Sequence, residues 1–199
     1  VEPILNPELW VILCTVAFLA GLIDAIAGGG GMLTVPALLS TGLPPHMALG
    51  TNKLAATFGS FTASFTFYRQ KLFDPHFWRI SLITTAIGAV IGTLTVAYLT
   101  IDFLEKYLPI IIILTALYTL FAKNTVYNAS QLPKETNKLK CIQATQGLTL
   151  GFYDGLAGPG TGAFWTASSS ALYKLNILLS CGLARSTNFI SNACSLLTF

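Results

Sequence analysis

Residues Gly21–Gly31 read GLIDAIAGGGG: an apolar run, one carboxylate at Asp24, then four consecutive glycines. The pattern returns at Gly151–Gly162 as GFYDGLAGPGTG, with Asp154 lying 130 residues after Asp24. Thr51-Asn52 returns as Thr187-Asn188, 136 residues on, so the second copy carries six more residues between its glycines and its Thr-Asn pair. An acid, a glycine break and a Thr-Asn pair in the same order mark an internal repeat. The chain is therefore expected to consist of two repeated helical halves, 1–122 and 141–199, joined by a cytoplasmic linker at 123–140.

What surrounds the two breaks is oily. Of 199 residues, 53% are hydrophobic and 10% charged, with mean hydropathy +0.67; a soluble domain carries about 25% charged residues. Such a composition suits a lipid-facing surface. Ile80–Ile101 is 22 residues without a charge, and a bilayer core needs about 20. Leu9–Ile23, Leu54–Tyr68, Tyr107–Ala122 and Gly155–Tyr173 are also charge-free. The expected fold is an all-α polytopic membrane protein, because a β-barrel would alternate apolar and polar residues in short segments. Leu9–Leu22 is not a signal peptide: acids rather than basic residues precede it, and its motif recurs deep in the chain. The net charge of +3 is small and by itself says nothing about nucleic acid; the basic residues sit mainly between apolar runs, which reads as solvated loops rather than a binding patch, so no nucleic-acid partner is expected. Cys14, Cys141, Cys181 and Cys194 have no CxxC spacing and are read as packing residues.

Arg69, Lys71 and Arg79 form one basic cluster, and Lys123, Lys134, Lys138 and Lys140 another. The positive-inside rule puts both in the cytoplasm. Two crossings then lie between them, joined by a short link holding Asp102, Glu105 and Lys106. After Asn52 the first half runs 70 residues to Ala122, whereas 11 follow Asn188. The second half is thus expected to lack two helices, as in a C-terminally truncated chain.

The glycines do not make a nucleotide loop, since no Lys-Ser/Thr follows Gly31. Met32–Thr41 is too short to span and ends at Gly42-Leu-Pro-Pro45. It is expected to be a half-helix starting inside the membrane, with a second one starting at Gly158–Gly162. Broken backbone at membrane depth is tolerated where it is buried in protein or lines a wet cavity, and helix N-termini favour anions. Gly28, Gly29, Gly30, Gly31, Gly158, Gly160, Thr161 and Gly162 are thus candidate donors to a small anionic substrate. Lys53 and Arg185, each alone in an uncharged neighbourhood, would supply positive charge and face a cavity between the halves. Asn52 and Asn188 would orient the substrate. Aligning the repeats sets Lys53 opposite Phe189 and Arg185 opposite Leu49, so the two cations are not equivalent. Asp24 and Asp154 suit a structural role, holding exposed N–H groups, or proton coupling; their symmetry favours structure. Gly88-x-x-x-Gly92 is read as a helix-packing motif.

Gly21–Leu54, GLIDAIAGGGGMLTVPALLSTGLPPHMALGTNKL, resembles the opening repeat of the sulfite exporter TauE/SafE family, within the toluene sulfonate uptake permease superfamily. Gly151–Phe164, GFYDGLAGPGTGAF, with Ser186-Thr-Asn-Phe189, is similar to that family's second repeat. The resemblance implies a multi-pass permease of the bacterial inner (plasma) membrane, of about eight helices in two related halves. It also implies sulfite, sulfonates or related organosulfur anions as substrates. The residues themselves lead only to a small anion. A secondary transporter without cofactor is the expected function, with an anion channel as the alternative. A membrane-embedded enzyme is a remote third, because Gly59-Ser60 has no base beside it. The lipid bilayer is the expected partner, and homo-oligomer formation stays open.

Overall fold

In the computed structural model, which describes residues 7–26, 28–121 and 131–199, two helices stop at glycines in the same way. Gly28 (φ 77°) and Gly158 (φ 88°) adopt the left-handed region that side chains disfavour. Their N–H groups turn back to the carbonyls five residues earlier, Ile23 at 3.2 Å and Tyr153 at 3.3 Å, as in a glycine-terminated helix. The described residues form α1 (Pro7–Ile26), α2 (Gly31–Ser40), α3 (Pro45–Arg69), α4 (Arg79–Tyr98), α5 (Ile101–Phe121), α6 (Asn137–Leu156), α7 (Thr161–Tyr173) and α8 (Ile177–Thr198). The protein is all-α, as its composition implies. The order long helix, break, short helix, long helix occurs as α1–α2–α3 and again as α6–α7–α8. The expected short helix is α2, with 10 residues and thus about 15 Å long; α7 starts at Thr161, again as expected.

Several boundaries differ from the sequence expectation. Asp102, Glu105 and Lys106 are not in a link but in the first turns of α5, which follows α4 after only Leu99 and Thr100. The hydroxyl of Thr100 accepts from the Phe103 N–H at 3.3 Å, and Asp102 stands where the helix dipole favours an acid. Lys106 lies 5.4 Å over the Tyr107 ring. α3 begins at Pro45, a residue pre-set for the first helical turn, so Asn52 and Lys53 sit within it rather than ahead of it. α6 begins at Asn137, capped by the Thr136 hydroxyl, which takes Lys138 and Lys140 out of the expected linker. Residues 122–130, with Lys123, lie outside the described residues.

Glycines decide how the two parts of the chain meet. α4 and α6 pack backbone to backbone: a Cβ on Gly151 would fall against the Thr85 carbonyl, and one on Gly155 against that of Ala89. The expected Gly88/Gly92 motif faces the backbone at Leu148 and Phe152 from the other side. Thr93 donates across this seam to the Gly155 carbonyl at 3.3 Å. α3 and α8 meet through Ser64 and Ser186, whose hydroxyls lie 2.8 Å apart, and through Phe61 against Phe189.

Glu8–Ile26, Arg79–Tyr98 and Ile101–Phe121 are long and apolar enough to cross a membrane. Trp10, Phe18, Ile83, Ile87, Leu114 and Phe121 are among their exposed apolar residues. α8 has 22 residues but a polar buried stripe, including Arg185, Asn188, Ser191, Asn192 and Ser195. Its polarity points inward, where charged and polar groups in a membrane protein belong. Gly151→Leu and Gly155→Leu are expected to destabilise the protein by at least about 1–3 kcal/mol, the range for overpacking. Gly50→Ala, inside α3 where a Cβ meets nothing within 4 Å, should not destabilise the protein and is expected to stabilise it by up to about 1 kcal/mol. Unfolding midpoints in detergent check both.

Candidate functional site

The two glycine breaks face each other. The Ala163 N–H, in the first turn of α7, donates to the Gly28 carbonyl at 3.1 Å. A Cβ on Gly162 would stand 2.7 Å from the Gly28 Cα, and one on Gly31 would stand 3.4 Å from the Pro159 Cα. Side chains are excluded here by the approach of backbone to backbone.

Each acid secures the start of the short helix that follows it. Asp24 Oδ1 accepts from the Gly30 N–H at 3.2 Å, and Asp154 Oδ1 accepts from the Thr161 hydroxyl at 3.2 Å. The cations then pair crosswise. Lys53, from the first half, donates to the Asp154 carbonyl at 2.5 Å and to Asp154 Oδ1 at 2.7 Å. Arg185, from the second half, donates through Nη1 to the Asp24 carbonyl at 2.5 Å, with Asp24 Oδ1 at 3.9 Å. Each cation thus reaches the last turn of the opposite half's broken helix, where a positive charge is favoured; the Asp24 carbonyl also accepts from the Gly28 N–H at 3.1 Å. Both are inside the protein, Lys53 at 1% and Arg185 at 0% exposure, so neither reaches out to a lipid–water interface.

The sequence reading took the cations as free charge for a substrate and the glycines as free donors. The geometry revises both points. Lys53 is ion-paired with Asp154, whose Oδ2 is also held by the Ser191 hydroxyl. The N–H groups of Gly28, Gly158, Gly30 and Thr161 are occupied within the breaks themselves. Among the described residues, those of Gly29, Gly31, Gly160 and Gly162 have no hydrogen-bond partner. Nor do two donors of the fully buried Arg185 guanidinium, Nε and Nη2. Nη2 lies against Gly28 and Gly162, where a Cβ on either would meet it within 3 Å.

A cavity of about 20 Å³ sits at the junction, lined by both acids, by Gly28, Gly29, Gly31, Gly158, Gly160, Thr161 and Gly162, and by Asn52, Asn188 and Asn192. Most of the expected site residues therefore meet; Gly30, Lys53 and Arg185 stand behind its wall. The volume suits one water and no larger occupant. A second cavity of about 110 Å³ adjoins it through Asp24, Gly31 and Asn52 and adds Gly30, Thr34 and Gly59. Thr34 donates its hydroxyl to Asn52 Oδ1. Sequence reasoning missed Thr34, Ser191 and Asn192. The last two could have been found from the polar residues recurring every three or four positions through α8, whereas Thr34 carries no such signal. Ser60 donates its hydroxyl to the Ala56 carbonyl of its own helix at 2.5 Å. A larger groove of about 480 Å³ runs along the outer side of α6 and α7, past Cys141, Ile142 and Leu172, away from the breaks.

Broken helices meeting end to end inside an apolar helical bundle define a membrane transporter class. The family model for the sulfite exporter TauE/SafE matches residues 13–199, and the chain belongs to that family. It is 39% identical to a probable membrane transporter protein of Haemophilus influenzae over 196 residues, covering 96% of this chain and 74% of that protein. It is 36% identical to the probable membrane transporter protein YfcA of Escherichia coli strain K12 over 198 residues, covering 98% and 71%. A probable membrane transporter protein, ORF9, of a Sinorhizobium species is 36% identical over 185 residues, covering 93% and 70%. No solved structure matches.

The crosswise pairing makes a direct stability prediction. Lys53→Met leaves Asp154 as an uncompensated buried charge, a loss of about 3–5 kcal/mol. Lys53→Met/Asp154→Asn, which removes that charge, keeps Oδ1 as acceptor for Thr161 and lets the Ser191 hydroxyl turn to accept from Nδ2, should recover most of it. Chemical unfolding of the three proteins in detergent tests this; a double variant no more stable than the single one would count against the pair.

Proposed function

We propose that this protein is a secondary transporter of a small anion, of the sulfite, sulfonate or related organosulfur class. It works as a multi-pass protein of the bacterial inner membrane, with 1–122 and 141–199 as the halves that move. The observation that carries this reading is the Arg185 guanidinium, fully buried at the junction with Nε and Nη2 unmatched. An oxyanion presents two or three acceptors in one plane or tripod and answers both donors at once, in the manner of guanidinium–carboxylate forks. Gly29, Gly31, Gly160 and Gly162, whose N–H groups are unmatched, line the junction cavity, and Arg185 stands just behind its wall against Gly28 and Gly162. Asn52 and Asn188 would complete the shell.

The small volume of the junction supports a carrier over a channel. A 20 Å³ cavity admits one water, so an anion enters only when the halves separate. Membership in a transporter family argues against an enzyme, and the engagement of Ser60 with its own backbone supports the same conclusion.

Flux of ³⁵S-sulfite into proteoliposomes tests the proposal. Saturable uptake is expected, and uptake that rises without saturation would favour the channel. Arg185→Ala should weaken apparent affinity by roughly 10- to 150-fold, because a hydrogen bond to a charged group is worth about 1.5–3 kcal/mol. Normal affinity in that variant, at matched membrane levels, would remove Arg185 from the site.

A further inference from the structure

We infer that Asp24 is the proton-coupling group of this transporter: it takes up a proton when the substrate anion engages Arg185, so that anion and proton cross together. The inference rests on the anion-transport reading above and adds its energy coupling. Four charged side chains meet at the junction, Lys53 from α3, Asp154 from α6, Asp24 from α1 and Arg185 from α8. α2 and α7 bring none. Their charges sum to zero. A monovalent anion entering this buried site leaves one unbalanced negative charge, which is costly where water is excluded. One proton on one carboxylate restores neutrality.

The two carboxylates are not equally able to take it. Asp154 is 2.7 Å from Lys53 and also accepts from Thr161 and Ser191, with its side chain 2% exposed. Protonating it would break an ion pair already closed on three sides. Asp24 is 3.9 Å from Arg185, beyond hydrogen-bond reach, and its side chain is 16% exposed. Its Oδ1 accepts from Gly30, and its Oδ2 has no hydrogen-bond partner among the described residues. It lines both the junction cavity and the adjoining 110 Å³ cavity, whereas Asp154 lines only the former. A proton therefore has an approach to Asp24.

The backbone makes the exchange workable. Arg185 is held by the Asp24 carbonyl at 2.5 Å and not by the Asp24 carboxylate. When the proton binds Oδ2, the side chain becomes neutral and its attraction for the guanidinium is lost, yet the guanidinium stays in place. Its positive charge, with Nε and Nη2, then serves the anion alone. On release the proton leaves Asp24 and the carboxylate again balances Arg185. The step forms one O–H bond and breaks it on the other side of the membrane, with the proton drawn from and returned to water.

Methanesulfonate is the probe, because it carries no proton of its own across the working pH range. Proteoliposomes holding a pH-reporting dye are given labelled methanesulfonate, and protons and anions entering are counted together. The wild-type protein should move one proton per anion, and an inward proton gradient should accumulate methanesulfonate about tenfold per pH unit. In Asp24→Asn the proton-to-anion ratio should fall towards zero and labelled exchange should lose its pH dependence. A purely structural Asp24 would change rates or levels but leave the ratio at one. Methanesulfonate uptake by the wild-type protein without proton movement would overturn the inference and leave the transport reading standing, even if the variant failed to fold. Persistence of the one-to-one ratio in Asp24→Asn would also overturn it. If the wild-type protein carries neither methanesulfonate nor sulfite, both readings fail together.

Discussion

Two helices stop inside an apolar bundle, and their last carbonyls have to be satisfied where little water can reach them. The cations of the opposite halves do this, Lys53 at the Asp154 carbonyl and Arg185 at the Asp24 carbonyl. The Asp154 carbonyl is met by Lys53 from the other half, 101 residues away, whereas the Asp24 carbonyl is shared between its own Gly28 N–H at 3.1 Å and Arg185, 161 residues away. The rest of the architecture serves that exchange. Glycines on α4 and α6 bring the backbones close enough to seat α6, and with it Asp154, against the first half. Gly28 and Gly162 leave room for the guanidinium between the breaks.

Buried ion pairs contribute little net stability, since desolvation offsets most of the attraction. Position is the better reason for these. Each acid does two things, holding the start of one short helix and balancing a cation from the other half. The asymmetry between them divides the junction into a firm side and a loose side. Lys53–Asp154 closes at 2.7 Å with a serine and a threonine around it; Arg185–Asp24 stays at 3.9 Å and leaves two guanidinium donors unmatched. On the proposed carrier reading, one part keeps the halves in register and another exchanges partners, and the two pairs differ in that sense.

Much of this was legible in the residues alone. Glycine runs inside apolar segments, with Pro44-Pro45 as a stop, announced the breaks and the short α2. Charge-free runs announced the lipid-facing helices, except Gly155–Tyr173, which crosses the second break into the largely buried α7. Asp24 and Asp154 announced themselves as a pair by repeating. What was not legible is who pairs with whom. Aligning the halves set Lys53 opposite Phe189, so the crosswise partnership of each cation with the other half's acid depends on the packing of α3 and α8 and on no local pattern. Local competition also hid the start of α5: Asp102, Glu105 and Lys106 look like a polar link, but a threonine cap and the helix dipole make them a first turn. The free donors of Arg185 follow from the third dimension alone.

The most direct test is a structure of the protein with selenite, an oxyanion whose selenium is located by its anomalous signal. The account expects the anion between Gly28 and Gly162, with oxygens about 2.7–3.0 Å from Arg185 Nε and Nη2 and the two breaks moved apart to admit it. Selenite bound elsewhere in a protein that transports it, with those two donors still unmatched, would contradict the junction as the substrate site.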